Sequence, residues 1–154
     1  MKKIAFFNAM FLFVLIFVGL FATKIFDNKR IFNLCQNYQK VTIVSHQNID
    51  CSAEKISNGN LNYYTFNSQN LPQQNYNVEG IVFYFSPQTS IKYFQKLFKS
   101  SLTKSTTIQG IEVYHGFHAD FNKYVVHKNK KVNAQLAQTS EGWILGFPLI
   151  LTGF

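Results

Sequence analysis

Arginine is nearly missing from this chain: of 15 Lys and Arg residues, only Arg30 carries a guanidinium. Arginine forks onto phosphate and reads guanine bidentately, so no nucleic-acid partner is expected, despite a formal charge of +8. The lysine excess comes with abundant Asn, Ile and Phe and reads as coding bias on a solvated surface. From composition alone, charge-driven binding of nucleic acid, acidic lipid or wall polymer is the weaker reading. Carboxylates are also few, seven in all, and none forms an acid/base pair in sequence. The two cysteines, Cys35 and Cys51, show no Cys-x-x-Cys spacing, which excludes a zinc ribbon and a dithiol redox motif. No glycine-rich phosphate loop is present, because Gly110, Gly116 and Gly146 fall in strand-like contexts. Ser86, Ser90, Ser100 and Ser101 lack the elbow that exposes a nucleophile. No catalytic residue, cofactor or metal site is therefore assigned.

The densest titratable group is His115, His118 and Asp120, in HGFHAD. A metal site needs three or four convergent ligands with supporting hydrogen bonds. His115 and His118 would project to opposite sides of a regular strand, and no further ligand cluster joins them. Loop and surface histidines are the favoured reading. Catalytic partners can still meet in space, so the alternative function is an extracytoplasmic hydrolase using His115 or His118 with a distant Asp.

What the chain does have is an apolar beginning. Lys2 and Lys3 precede Ile4 to Ala22, 19 residues whose only clearly polar member is Asn8. As a helix this spans about 28 Å, close to a hydrocarbon core of roughly 30 Å. Cleaved signals usually have a shorter apolar region, and Leu20 is a poor residue two positions before a cut at Ala22. An uncleaved signal anchor over residues 1–22 is favoured, with a secreted, cleaved protein as the alternative. The expected location is a single-pass protein of the cell membrane with its soluble part outside, the short N-terminal tail staying inside. Residues 23–39 read as a polar stalk on which Phe26, Ile31, Phe32 and Leu34 offer docking points. Residues 40–154 read as one soluble domain. Outside the membrane, Cys35 and Cys51, 16 residues apart, could form a disulfide worth roughly 3 kcal/mol. Two reduced, buried thiols are an equal alternative.

Within the domain, 40–46 (KVTIVSH) and 61–66 (LNYYTF) read as strands, the second with Leu61, Tyr63 and Thr65 on one face. Asn58-Gly59-Asn60 is a turn signal, and 67–78 reads as an Asn/Gln-rich loop. The run 81–85 (IVFYF) suits a central strand. Ser86-Pro87 then reads as a helix start, with Ile91, Phe94, Leu97, Phe98 and Leu102 as its apolar stripe and Lys92, Lys96 and Lys99 on the wet side. Strands follow at 108–117, 123–127, 131–138 and 143–152, the last at an edge or broken at Pro148. The fold class is α+β: an antiparallel sheet with one long helix across a face, in the order β-α-β-β-β-β, preceded by the membrane helix.

The later half carries a resemblance. Val113-Tyr114-His115-Gly116-Phe117, then Tyr124-Val125, then Asn129-Lys130-Lys131-Val132-Asn133, Gln135-Leu136-Ala137 and Leu145-Gly146-Phe147-Pro148-Leu149-Ile150 appear in the order and spacing of the YwmB-like family. Residues 80–151 resemble its C-terminal part. Gln138 stands where the family has a basic residue, the last hairpin is shorter, and residues 35–79 do not match the family's first half. The resemblance implies export, an envelope location and a fold compared with that of the TATA-box-binding protein; it supplies no catalytic residue.

Alternation in the last hairpin puts Val132, Ala134 and Leu136, with Trp143, Leu145, Phe147 and Leu149, toward the helix. The opposite face then carries Asn133, Gln135, Ile144 and Ile150, the expected partner face. The expected function is a membrane-tethered, non-catalytic envelope domain that binds a protein or wall polymer there.

Overall fold

The computed structural model describes residues 28–68, 70, 77–108, 110–121 and 123–148. The expected membrane segment 4–22, Phe26 and Ile150 lie outside these residues. Among the described residues, no helix is long and apolar enough to cross a membrane.

Ten strands and two short helices make up this part. Helix α1 (Asn28–Leu34) leads into β1 (Lys40–Ser45), β2 (Glu54–Asn58), β3 (Leu61–Asn67) and β4 (Gly80–Phe85). Helix α2 (Ile91–Phe98) and a 3-10 turn (Lys99–Ser101) lead into β5 (Thr103–Ile108) and β6 (Ile111–Gly116). A small ribbon, β7 (Val125–His127) with β8 (Lys130–Val132), precedes β9 (Ala134–Thr139) and β10 (Gly142–Phe147). Eight strands form one antiparallel sheet in the order β2-β3-β1-β4-β10-β9-β6-β5; β7 and β8 pair separately. The expected α+β class with an antiparallel sheet is present; the expected order β-α-β-β-β-β is not, because six strands follow α2 and the one expected over 123–127 pairs outside the large sheet.

Period-two alternation explains the core. In β4, Ile81, Phe83 and Phe85 point to the helix side, beside Val41 and Ile43 of β1 and Trp143, Leu145 and Phe147 of β10. Ile31 of α1 and Phe94 and Phe98 of α2 close over them. The contacts are mostly aromatic: Phe94 meets Phe85 edge-on at 5.1 Å and Trp143 at 5.2 Å, and Phe98 lies 6.0 Å from Phe147. Such pairs add to ordinary apolar burial. A Cβ on Gly116 would sit 3.0 Å from the Phe98 ring, so glycine there lets β6 pass close under α2 without displacing that ring.

Several expected boundaries move. Helix α2 is eight residues, not long. Ser86–Thr89 closes a turn, with Thr89 N–H donating to the Ser86 carbonyl at 3.0 Å, and Ser90 is the cap. At its other end Lys99 has φ +52, which stops the α-helix before Leu102. The Thr-rich run that follows prefers extended backbone and forms β5. The strand expected over 108–117 is thus the second arm of a hairpin, turned at Gly110 with φ +84. The edge strand β2 was not anticipated either. Its hairpin with β3 turns at Gly59, φ +58.

The expected strand 131–138 splits at Asn133. Val132 pairs with β7, whereas Ala134 joins the large sheet. Strand β10 is interior, between β4 and β9, and ends at Phe147 before Pro148, so it breaks there and is not an edge. The described part of the stalk belongs to the domain: Ile31, Cys35 and Tyr38 lie in the core.

The single Trp143 is buried beneath Phe94 and reports on this core. Phe98→Ala is expected to lower stability by about 3–5 kcal/mol, measured by urea unfolding followed through Trp143 fluorescence. An unchanged midpoint would show that the stripe does not hold the helix on the sheet.

Candidate functional site

The face turned away from the helices is built by the other half of each strand's residues. Pairing aligns Thr65, Thr42, Val82, Gly146, Gln135, His115 and Thr103 in one row across seven strands. The next row runs Lys40, Tyr84, Ile144, Ala137, Val113. Val82, Ala137 and Val113 are wholly buried and Thr42 nearly so, whereas Tyr63, Tyr84, Gln135, Ile144 and His115 are half-buried. Small side chains therefore form a floor between larger ones that reach solvent. The Thr42 and Thr65 hydroxyls share a hydrogen bond of 2.9 Å, and the Lys40 ammonium lies 4.6 Å from the Tyr84 ring centre.

Of the four residues expected on this face, Gln135 and Ile144 are there: Ile144 pairs directly with Tyr84, and Gln135 lies two strands from Val82, across Gly146. Ile150 lies outside the described residues. Asn133 is a correction: it is fully buried and ties loops together. Its Oδ1 accepts from His118 N–H at 2.8 Å, and its Nδ2 donates to the carbonyls of His118 (2.8 Å) and Phe121 (3.0 Å). Asn133 falls where the chain leaves β8 for β9, so its backbone does not follow the alternation that placed it outward. The face also includes Thr42, Tyr63, Thr65 and Tyr84, which the last hairpin alone could not reveal. The alternation of Tyr63 and Thr65 was the available signal; what joins β3 to the later strands is long-range pairing.

The two histidines part company. His115 is on the open face, where its ring meets His127 edge-on at 5.0 Å and its Nδ1 is buried with no hydrogen-bond partner. Burial lowers its pKa, and His127 and Lys128 lower it further. His118 lies past the end of β6 on the helix side, between Phe98 and Phe121. Its Nδ1 accepts from Asp120 N–H at 3.3 Å and stands 3.8 Å from the Asp120 carboxylate, beyond a hydrogen bond. Asp120 is instead held by Arg30 at 2.9 Å. Burial lowers the His118 pKa; Asp120 opposes this, and Lys99 and Arg30 add to it.

Among the described residues, no three His, Cys, Asp or Glu side chains group as metal ligands. A shallow hollow of about 620 Å³ lies at the far end of β6, β9 and β10, lined by Ile111, Glu112, Gln138, Thr139, Glu141 and Ile144; it contains neither histidine. Its Glu112 is engaged by Lys104 and by the Tyr114 hydroxyl, which hold the carboxyl below its usual range, while Glu112 pushes Tyr114 up to about 12. Ser101, beside Phe117 just past the end of β6, is also committed. Its Oγ lies 2.7 Å from the Phe98 and Phe117 carbonyls and accepts from Phe117 N–H.

Both cysteines are free thiols in this structure. Cys35 is fully buried, which pushes its pKa up and makes it a poor nucleophile. Cys51 packs against the same apolar cluster.

Lowered histidine pKa values make stability depend on pH. Unfolding returns both rings to about 6.5, so the unfolded chain takes up protons first as pH falls. Their contribution is complete above about pH 6.5 and is lost as pH drops through the folded values. The urea midpoint is expected to fall between about pH 7 and pH 5, and the His115→Gln, His118→Gln double variant to show a shallower fall. Equal slopes for the two proteins would contradict this.

Compared with models of protein families, with curated proteins and with solved structures, the chain matches none.

Proposed function

We propose that the chain is an extracytoplasmic, non-catalytic domain of the bacterial cell envelope, tethered by residues 4–22, that binds a protein or wall polymer through the open face of its sheet. The observation that carries this reading is the unlike composition of the two faces. The aromatic core and both helices use one, while the other presents Thr65, Tyr63, Tyr84, Gln135 and Ile144, half-buried hydroxyls, an amide and rings. Aromatic and amide groups of that kind supply contact area and hydrogen bonds at binding surfaces. The apolar length of residues 4–22 supports the tether. The resemblance of residues 80–151 to the YwmB-like family supports an exported protein.

The hydrolase reading has less support. His118 and Asp120 are too far apart for a hydrogen bond, Asp120 is paired with Arg30, and His115 meets another histidine rather than a carboxylate.

Gln135→Arg is the test. On a contact face the long side chain can carry its charge to water, so the melting temperature is expected to stay nearly constant while binding to wall sacculi or to a cross-linked envelope protein falls. A loss of several kcal/mol, about what burying a charge costs in practice, would end the binding-face reading. In parallel, protease added to intact protoplasts should digest the domain; full protection would remove the extracytoplasmic placement.

A further inference from the structure

We propose that the β7–β8 ribbon docks onto an anionic phospholipid surface, with Tyr124 and Val126 entering the interface and Lys128 and Lys131 meeting headgroup phosphates.

Every residue from 123 to 131 is exposed. Among the described residues, the exposed large hydrophobics are Ile56, Tyr124, Val125 and Val126, and three of those four are here. Val126 is the most exposed, at 67%. A small domain normally covers such side chains or leaves them scattered. Register sorts the ribbon into two faces. Val125 pairs with buried Val132, and His127, which packs on His115, pairs with Lys130; this side turns toward the sheet. Val126 pairs with Lys131, whose ammonium lies 4.5 Å from the Tyr124 ring centre. Tyr124, Val126 and Lys131 therefore share the outward face. The turn between the strands is Lys128-Asn129, both at positive φ, which places another lysine at the tip.

The charge is of one sign. No Asp or Glu occurs from Phe121 to Ser140. Lys123 is neutralised by Glu79 at 3.2 Å, but no carboxylate among the described residues pairs with Lys128, Lys130 or Lys131. Lysines around an aromatic and an aliphatic side chain suit a bilayer interface, which offers phosphates and an apolar phase at one depth. A soluble polyanion would satisfy the lysines and leave Val126 in water.

Position gives the second argument. Arg30, in the first turn of α1, bonds Asp120 at 2.9 Å, and Asp120 lies three residues before Lys123. The chain thus enters the domain at the end from which the ribbon projects. Only residues 23–27 separate Asn28 from the apolar segment, a reach of at most about 18 Å. This placement rests on the tether proposed above, so the test reads tether and ribbon separately.

The full chain with Cys51→Ser and Val126→Cys, labelled at 126 with an environment-sensitive dye, is reconstituted with phosphatidylcholine vesicles with or without phosphatidylglycerol. Cys35 is buried and escapes the label. Resistance to alkaline carbonate reads the tether; dye emission and its quenching by brominated lipid read the ribbon. Blue-shifted, quenchable emission is expected only with phosphatidylglycerol. It should be lost in the Lys128→Gln, Lys131→Gln variant, whose vesicle partition is about thirtyfold weaker at roughly 1 kcal/mol per lysine. The same label at Ile56→Cys should stay water-like.

Water-like emission from a carbonate-resistant protein overturns the ribbon and leaves the tether. Carbonate extraction with emission still shifted by added anionic vesicles removes the tether and leaves the ribbon. Extraction with water-like emission overturns both. A shift caused by poly(glycerol phosphate) but not by vesicles, or an equal shift at Ile56→Cys, also overturns the proposal.

Discussion

The pairing of β4 with β10 is the constraint on which the rest depends. These strands are more than fifty residues apart in sequence, yet they lie side by side from Phe85–Trp143 to Ile81–Phe147. Through them the earlier strands, β2-β3-β1, and the later ones, β9-β6-β5, become one sheet. The pairing is stabilised from one side, where Phe83, Phe85, Trp143 and Phe147 form an aromatic seam beneath Phe94 and Phe98. Burial of those rings is the largest favourable term available here, and it offsets the entropy of closing so long a loop.

That asymmetry has a consequence for the second face. Among the described residues, both helices pack on the aromatic side, and the other face carries what the strands themselves provide. Its centre is filled by valine, alanine and glycine, which need little cover, and the larger Tyr63, Tyr84, Gln135 and Ile144 stand between floor and solvent. The histidines sit at one end of the sheet and on different sides of it, each occupied with a structural neighbour. The reading we propose for this geometry is contact, with the sheet face for a partner and the ribbon for the bilayer.

Much of this was legible in the residues. Strands β1, β3, β4, β9 and β10 announce themselves by β-branched or alternating runs, and the stripe of α2 by its spacing of three and four. The inward set Trp143, Leu145 and Phe147, with Ala134 and Leu136, is found where alternation puts it. What escaped was governed by backbone conformation or by distant partners. Lys99 leaves helical φ and shortens α2. The polar strands β2 and β5 exist because an edge position accepts polar residues on both faces. Asn133 is consumed by three side-chain hydrogen bonds to a loop fifteen or fewer residues away, and no period of two could show that. Helix α1 hid within a polar stretch because, among its described residues, Ile31 alone is fully buried, with Phe32 and Leu34 packed partly against the core and Cys35 and Tyr38 beyond it.

Thiol accessibility at Ile144→Cys tests the central claim most directly, because this half-buried side chain lies mid-sheet on the open face. A hydrophilic maleimide would be applied to the purified full chain and to the same protein in native envelopes. The account predicts modification of the purified protein and protection in the envelope. Protection in both would make the face part of the chain's own core, and equal modification in both would leave it without a partner; either result contradicts the account.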